Sequence, residues 1–296
     1  MGARDSLAAP GAAALNATAQ SQEYEFRARD FERVRGLIDD RARIALRENK
    51  QNLVYSRLSK RLRTHAMASI AHYFDRLETD AQFRAAEEQE LVNALTTNQT
   101  SFFREAHHFE ALEEFLHTLP AGAAPRIWCA AASPGEEPYS IAMTMTVVAA
   151  GKPPGGRLAT DIDTNVLASA SHGIYWREAA ARACGGSCLR VFFLRGTGDN
   201  EGMVRVRPEL VQLIQFAPLN LLDEDWPLVR DYCARLDAIF CRNVMIYFDR
   251  KTQRAILHRI VQYLRPGGLL FVGHAENFTD CTESIRLRGK TVYQRQ

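Results

Sequence analysis

The stretch RIWCAAASPGEEPYSIAMTMTVVAA (residues 126–150) passes from a short apolar run through a Ser-Pro-Gly turn to a longer apolar segment. This pattern predicts a buried strand followed by a helix. A second strand, GRLATDID (156–163), and a second helix, TNVLASASHGIY (164–175), come next. Strands that alternate with helices in this way indicate an α/β fold, with a parallel sheet covered by helices on both faces.

The same alternation returns in the last third of the chain. It comprises a strand in LDAIFCRNVMIYF (236–248), the helix KTQRAILHRIVQYLR (251–265), the strand LLFVGHAENF (269–278) and a final strand in TVYQRQ (291–296). Residues 175–219 interrupt the pattern, because RVFFL, MVRV and LIQFA predict short strands of an antiparallel ribbon with glycine-containing turns. A segment of roughly 45 residues exceeds an ordinary connection, which favours a function for it.

A ligand is expected at the carboxyl ends of the parallel strands. The turn after the first strand presents free N–H groups of a helix start, and Asp161 closes the next strand 28 residues after Ser133. That turn has one glycine where the dinucleotide fingerprint has three, and Glu136 and Glu137 would repel a pyrophosphate. A ligand that carries a ribose but no phosphate fits better, and S-adenosylmethionine is the common one.

Structural explanations stay open for several of these residues. The two glutamates suit the positive end of a helix without any ligand, and Asp163 or Thr164 is typical of a helix cap. The pair Arg242-Asn243 and the nearby Tyr247 are more informative, because they follow a buried strand at the edge where such sheets place ligand groups. An asparagine at a strand end is unfavourable without a partner.

The region 26–95 has one glycine, no proline and apolar residues at helical spacing, which predicts a small helical domain. Between Phe26 and His65 it carries twelve Arg or Lys against five Asp or Glu. On a helix over about 49–65, four basic residues fall within an arc of roughly 100°; they are Lys50, Arg57, Lys60 and Arg61. The stripe is either a solvated helix face or a docking face for an acidic partner, nucleic acid or protein.

Other features exclude several classes of protein. Residues 1–25 predict a flexible tail; they faintly imitate a secretory signal or a myristoylation site, but Asp5 and Pro10 argue against secretion. No run reaches the roughly 20 apolar residues of a bilayer span. Six scattered cysteines show no zinc spacing, and His107-His108 suggests a surface pair rather than a metal site. We therefore expect a cytoplasmic protein without a metal.

Residues 94–104, ALTTNQTSFFR, allow two interpretations. Asn98-Gln99-Thr100 fits a glycosylation acceptor of secreted proteins. Alternatively Asn98, Thr100 and Arg104 face a polar ligand, with two phenylalanines anchoring the segment. A cytosolic location favours the ligand.

Five motifs, in order and spacing, resemble the chemotaxis receptor methyltransferases of the CheR type. They are NALTTNQTSFFREAHHF, WCAAASPGEEPYSIAM, ATDID, LDAIFCRNVMIYFD and LRPGGLLFVGHAENF, and the likeness spans about residues 26–295. The resemblance implies a class I S-adenosylmethionine-dependent methyltransferase with a Rossmann-like sheet over 96–296, an N-terminal all-α domain and the inserted antiparallel β-subdomain at 175–219. The implied reaction transfers a methyl group to glutamate carboxylates of chemoreceptors.

The resemblance also implies the roles of individual residues. Arg104 and Tyr247 lie at the reacting centre. Cofactor contacts are expected from Asn98, Thr100, Arg104, Glu137, Asp161, Asn220, Leu221, Arg242 and Asn243, with Asp161 on the ribose. Receptor docking is expected from Lys50, Arg57, Lys60 and Arg61, and contact with a C-terminal receptor peptide from Arg195, Gly196, Gly198, Gly202 and Arg205. Pro134 departs from the threonine that relatives often carry.

The partners implied are methyl-accepting chemotaxis receptors, with no nucleic acid and no membrane insertion. One alternative is an RNA or DNA methyltransferase that grips its substrate with the basic helical domain, although the stripe lacks interleaved aromatic residues for base stacking. Another is a chemotaxis adaptor without catalysis. An intact set of Asp161, Arg242 and Asn243 argues against the adaptor.

Overall fold

The computed structural model describes residues 23–42, 48–150, 155–232, 235–279 and 284–296. The tail predicted at 1–25 lies outside the described residues except for its last three positions. In the described part of the chain, no helix combines the length and the apolar character that a membrane span requires.

Within residues 23–42 and 48–95, which the structure describes, four α-helices form the N-terminal part of the protein. They are α1 (Ala28–Ala42), α2 (Gln51–Thr64), α3 (Ile70–Thr79) and α4 (Ala81–Leu95). Their apolar sides share one core, in which Leu58 and Leu91 are fully buried. Asp80 separates α3 from α4, because its carboxylate accepts the N–H groups of Gln82 and Phe83 and thereby caps α4.

A buried carboxylate ties these helices together. Glu87 on α4 is 1% exposed and accepts hydrogen bonds from Arg61 Nε (2.7 Å), the Tyr73 hydroxyl (2.8 Å) and His65 Nε2 (2.7 Å). Burial raises the pKa of Glu87, but the bonds from Arg61, Tyr73 and His65 outweigh burial and hold that pKa below its ordinary value. The ionised carboxylate therefore stabilises the contact of α4 with α2 and α3.

The C-terminal part contains two sheets. Its strands are β1 (Ile127–Cys129), β2 (Arg157–Asp161), β3 (Ile174–Trp176), β4 (Phe193–Arg195), β5 (Met203–Val206), β6 (Ile214–Pro218), β7 (Leu236–Phe240), β8 (Leu264–Phe271), β9 (Ile285–Gly289) and β10 (Val292–Arg295). The large sheet has the order β6-β2-β1-β7-β8-β10-β9, and its first five strands are parallel. The strands β10 and β9 are antiparallel to their neighbours.

Helices cover both faces of this sheet. They are α5 (His107–His117), α6 (Glu136–Val148), α7 (Thr164–His172), α8 (Arg177–Phe192), α9 (Pro208–Val211), α10 (Pro227–Tyr232) and α11 (Arg250–Tyr263). Successive residues of β7 enter different cores, with Phe240 in one cluster and Ile239 in the other. The predicted α/β fold with a sheet buried on both sides is confirmed.

The antiparallel insertion is smaller than the sequence predicted. Its sheet has the order β3-β5-β4, and the segment RVFFL ends helix α8 before it enters β4. The prediction that LIQFA belongs to the ribbon is wrong. It forms β6, which pairs in parallel with the whole of β2 from Arg157 to Asp161, because β2 would otherwise leave its backbone unpaired at the edge of the large sheet.

Replacing Glu87 with Ala leaves the Tyr73 hydroxyl without its acceptor and leaves Arg61 with the weaker ion pair to Glu90 at 3.5 Å, so we expect a loss of about 1–3 kcal/mol in the free energy of unfolding. Because the folded pKa of Glu87 is depressed, its contribution is present above the unfolded pKa and is lost as the pH falls through the folded pKa. Urea unfolding at neutral and acid pH measures both effects.

A matched control is Glu88→Ala on the same helix. Glu88 is half-buried and pairs with Arg41 at 2.7 Å, so we expect a change of about 0.5 kcal/mol or less. Equal losses in the two variants would contradict the role of Glu87.

Candidate functional site

A pocket of about 280 Å³ lies at the carboxyl ends of β1, β2 and β7. Its other wall is the linker from α4 to α5, including residues 95–100 and Arg104. The predicted cofactor residues Asn98, Thr100, Arg104, Glu137, Asp161, Asn220, Leu221, Arg242 and Asn243 all line this one cavity, as do Tyr247 and Lys50. The structure therefore brings together these residues, which are up to 197 positions apart in the sequence, from Lys50 to Tyr247.

Asp161 joins the loops that follow β1 and β2. Its Oδ2 accepts the N–H of Ser133 at 2.9 Å, and its Oδ1 accepts the N–H of Asp163 at 3.0 Å. Burial raises the pKa of Asp161, and the two backbone N–H groups oppose that shift. Each oxygen keeps a further acceptor position, so the carboxylate can take hydroxyl donors from a ligand.

The turn after β1 is bent because Ser133 (φ 50°) and Gly135 (φ 108°) adopt left-handed conformations. A side chain at Gly135 would also come within 2.7 Å of the Tyr175 hydroxyl, which donates to the carbonyl of Pro134. The glycine at this turn therefore makes room for Tyr175. Its role is in packing rather than in cradling a phosphate, consistent with the absence of the dinucleotide fingerprint.

Asp163 holds the linker against the sheet. This residue is 2% exposed, and its Oδ2 accepts bonds from the Thr96 hydroxyl (2.6 Å) and from Asn98 Nδ2 (2.7 Å). Its Oδ1 caps α7 by accepting the N–H groups of Asn165 and Val166. The sequence predicted a cap at Asp163 or Thr164, and the structure places it at Asp163. The contact with the linker was missed, because a separation of more than 60 residues leaves no local signal.

Arg242 forms the centre of a buried ionic network in the wall of the pocket. Its guanidinium donates to Glu137 Oε2 (2.5 Å) and to the carbonyl of Arg104 (2.5 Å), and Glu105 Oε2 lies 3.5 Å away. Burial raises the pKa of Glu137, and Arg242 opposes this effect. Arg242 therefore reaches across from the end of β7 to the first turn of α6 and to the linker.

Arg104 lines the pocket with a backbone that is fixed on both sides. Its neighbours Phe103 (φ 50°) and Glu105 (φ 59°) adopt left-handed conformations, and the N–H of Phe103 donates to Ser140 Oγ at 2.9 Å. Phe102 is buried edge-on against Tyr175 and Phe193, with ring centroids 4.9 and 5.4 Å away. The half-buried Arg104 side chain donates to the carbonyl of Gln99 at 2.9 Å.

The remaining pocket residues come from two loops. Leu221 is buried, and Asn220 connects the loop after β6 to the helical part by donating from Nδ2 to the carbonyl of Arg41 at 2.8 Å. Asn243 has a φ of 56°, and its N–H donates to Glu276 Oε2 at 3.0 Å. Tyr247 is half-buried in a short 3₁₀ turn over Met245–Tyr247. Sequence reasoning missed Glu276, although its position just after β8 matches the rule that ligand sites lie at the carboxyl edge.

The predicted docking stripe does not present four free charges. Arg57 Nη1 donates to the carbonyl of Ala94 at 2.6 Å, and Arg61 is bound to Glu87. Lys50 lies in the 3₁₀ turn before α2 and lines the pocket, while Lys60 is exposed. Arg61 is therefore neutralised by a carboxylate and Arg57 is held by a backbone carbonyl, so the exposed side chains of the stripe are Lys50 and Lys60.

The five residues predicted to contact a receptor peptide all lie in the hairpin of β4 and β5. They are Arg195, Gly196, Gly198, Gly202 and Arg205, and none of them lines the pocket. A side chain at Gly196 would approach the carbonyl oxygen of Asn200 to 2.0 Å, so the turn requires glycine there. Because β5 is central, β3 and β4 are the free edges of this small sheet.

The interpretation of His107-His108 as a surface pair is wrong for His108, which is fully buried and has its pKa lowered to about 4 by burial. Together with Glu105 the two histidines offer ligand atoms within 4.8 Å of one another, a spacing compatible with a metal ion. Nε2 of each histidine already faces the carbonyl of Lys290, and Arg242 adds positive charge 3.5 Å from Glu105. These contacts disfavour a cation, and the absence of a metal stays a prediction.

Known proteins match the chain along most of its length. The model of the CheR methyltransferase SAM binding domain matches residues 98–294, and the model of the CheR methyltransferase all-alpha domain matches residues 29–96. Chemotaxis protein methyltransferase 2 of Pseudomonas aeruginosa is 48% identical over 276 residues, which are 92% of this chain and 95% of that protein. The chemotaxis protein methyltransferase of Escherichia coli K12 is 47% identical over 264 residues, 89% of each chain.

Among solved structures, PKMT2 from Rickettsia typhi in complex with AdoHcy is 15% identical, with a TM-score of 0.35, and covers 60% of this chain and 26% of its own. That likeness is too low to support an argument. The family matches and the identities near one half confirm the resemblance that the sequence motifs indicated.

Proposed function

The chain belongs to the CheR methyltransferase family, and on that premise we propose that it methylates glutamate side chains of bacterial chemoreceptors. The reaction converts a γ-carboxylate and S-adenosylmethionine into a glutamate methyl ester and S-adenosylhomocysteine. The observation that carries the proposal is the pocket, which joins Asp161 at a strand end to Arg104 on the linker. The proposed partners are the cytoplasmic helices of methyl-accepting chemotaxis receptors.

The chemistry of the pocket residues fits S-adenosylmethionine. Asp161 offers acceptors for ribose hydroxyls, as expected of an acidic residue that closes the second strand. Leu221 contributes an apolar wall, and Asn220 and Asn243 contribute polar groups beside it. When bound, this cofactor supplies a methyl group on a positively charged sulfur.

No general base is needed for this reaction, because an ionised glutamate has no proton to lose when it attacks a methyl group. The carboxylates that line the pocket agree with this mechanism: Glu137 is bound to Arg242, and Asp161 is bound to two backbone N–H groups. Alignment is then the main contribution of the protein, worth up to about 7–11 kcal/mol for well-placed reactants. Arg104 and Tyr247 are the side chains that we assign to this alignment.

Support for receptor docking comes from the position of the helical part. Lys50 lies beside the pocket, and Lys60 is exposed ten residues further along the chain. An acidic receptor helix bound to these lysines would bring its glutamates toward the pocket.

The hairpin of β4 and β5 would hold a C-terminal receptor peptide as an added strand. Such a contact raises the local concentration of the enzyme near the receptors. A titration with this peptide that shows no measurable binding would contradict the proposed contact between the hairpin and the receptor peptide.

The function is tested by incubating the protein with methyl-labelled S-adenosylmethionine and receptor membranes, followed by mild base. Methyl esters release volatile labelled methanol under these conditions, and we expect the label there. Label that survives base would indicate N-methylation, as expected of the RNA or DNA methyltransferase alternative. Absence of transfer would favour an adaptor.

Replacing Arg104 with Ala removes donors that we assign to the orientation of the glutamate. A charge-assisted bond of about 1.5–3 kcal/mol predicts a fall in turnover of roughly 10- to 100-fold at saturating cofactor. Isothermal titration with S-adenosylhomocysteine should show a smaller change. Arg230→Ala, on an exposed position of α10, is the control and should leave turnover unchanged. Full turnover in Arg104→Ala would show that the assignment is wrong.

Charge reversal by Lys60→Glu should raise the KM for receptor several-fold and leave the affinity for S-adenosylhomocysteine unchanged, because Lys60 does not line the pocket. Raising the ionic strength should weaken turnover on receptor in the wild type and reduce the difference between the two proteins. Lys251→Glu, at an exposed position of α11, makes the same charge change elsewhere. An equal effect of both substitutions would argue against docking at α2.

A further inference from the structure

Two loops meet behind the pocket through the carboxylate of Glu276. This residue is 3% exposed and follows β8. Its Oε2 accepts the N–H groups of Asn243 (3.0 Å) and Gly273 (2.6 Å), and its Oε1 accepts the N–H of Met245 (2.7 Å). Glu276 thus connects its own loop to the segment 242–247 that follows β7.

The groups that surround this carboxylate are hydrogen-bond donors. An ionised glutamate has acceptors on both oxygens, so it can satisfy all three backbone N–H groups at once. A glutamine has the same shape but carries an NH₂ in place of one oxygen, and that NH₂ would face an N–H donor. An aspartate is one methylene shorter and reaches less far. The contacts therefore select glutamate by charge and by length.

The segment that Glu276 holds has an unusual backbone conformation. Asn243 has a φ of 56°, in the left-handed region that asparagine and aspartate adopt more often than other non-glycine residues. Gly273 approaches it closely, since a side chain at position 273 would come within 2.5 Å of Asn243 Nδ2 and 2.9 Å of its backbone nitrogen. The same loop therefore reaches Asn243 twice, through the bond from Glu276 and through the close approach of Gly273.

Segment 242–247 forms a wall of the pocket. Arg242, Asn243, Val244, Ile246 and Tyr247 all line the cavity, whereas Glu276 does not. Glu276 therefore makes no direct contact with a ligand in the pocket, and its hydrogen bonds act on the ligand through segment 242–247. Glu276 can therefore position the wall of the pocket, but it cannot itself touch a bound cofactor.

We propose that Glu276 is a positioning residue, whose carboxylate holds segment 242–247 in the conformation that binds S-adenosylmethionine. The inference rests on the proposed function for the identity of the ligand. It assigns a role to the GHAEN loop after β8 that is separate from direct contact with the cofactor or with the receptor. Without these three bonds, Asn243 relaxes from its left-handed conformation and the wall formed by Asn243 and Tyr247 moves.

The test compares Glu276→Gln with the wild-type protein by isothermal titration with S-adenosylhomocysteine, well below the unfolding temperature of each. We expect the dissociation constant to rise tenfold or more. The kcat/KM for S-adenosylmethionine should fall by a similar factor, while the KM for receptor stays within about twofold because Lys50 and Lys60 are unaffected. A merely structural role would lower the unfolding temperature without this split between the two substrates.

Asp237→Asn is the matched control. Asp237 lies at the opposite end of β7, where its carboxylate accepts the N–H of Arg126 (2.8 Å) and a bond from Arg265 Nε (2.7 Å). Its loss should lower the unfolding temperature and leave the affinity for S-adenosylhomocysteine unchanged. The comparison separates damage to the sheet in general from damage to the pocket wall.

Gly273→Ala provides a second route if Glu276→Gln does not fold, because it disturbs Asn243 from the other side. A folded variant of either kind that binds S-adenosylhomocysteine as tightly as the wild type overturns the inference. If neither variant folds, Glu276 and Gly273 are required for the fold itself, which overturns the positioning role as stated. Failure of the wild type to bind S-adenosylhomocysteine would instead refute the proposed function.

Discussion

The buried guanidinium of Arg242 is the interaction on which the architecture of the site depends. It lies at the end of β7 and contacts Glu137 on α6, the carbonyl of Arg104 on the linker and, at 3.5 Å, Glu105. Removing an ion from water costs several kcal/mol, and the cost is offset only when good partners remain in place. The sheet, the first turn of α6 and the linker must therefore assemble together. The position of Arg104 is a consequence of that requirement.

A second set of contacts couples the helical part to the same edge of the sheet. Asp163 holds Thr96 and Asn98, while Asn93 on α4 exchanges hydrogen bonds with both the backbone and the hydroxyl of Thr164. The part of the chain that carries Lys50 and Lys60 is thus fixed relative to the cofactor pocket by short polar bonds. If the proposed receptor docking takes place on the helical part, these bonds would carry its geometry to the pocket, and the point of docking would determine which glutamate reaches the pocket.

Local patterns in the sequence predicted the strands and helices well, because burial on both faces of a parallel sheet demands apolar runs such as those at 126–132 and 236–241. They failed where the outcome depended on partners distant in the chain. LIQFA has the composition of a strand but carries no information on whether β2 or the ribbon pairs with it. Periodicity placed Arg57 and Arg61 on one face of α2, but it could not show that α4 and the carboxylate of Glu87 pack there. The role of Glu276 was missed for the same reason, because its bond to Asn243 spans 33 residues.

The contacts of Arg104 bear on what its side chain can do. The backbone on either side is fixed by Arg242, Ser140 and the buried Phe102, whereas the guanidinium makes one hydrogen bond, to the carbonyl of Gln99, among the described residues. An arginine has five N–H donors, so most of them remain available to a carboxylate. A rigid salt bridge would stabilise the bound glutamate as strongly as the transition state and would not raise the rate. In the proposed reaction, a fixed backbone that carries a lightly held guanidinium would avoid this, because it could orient the nucleophile without binding it tightly.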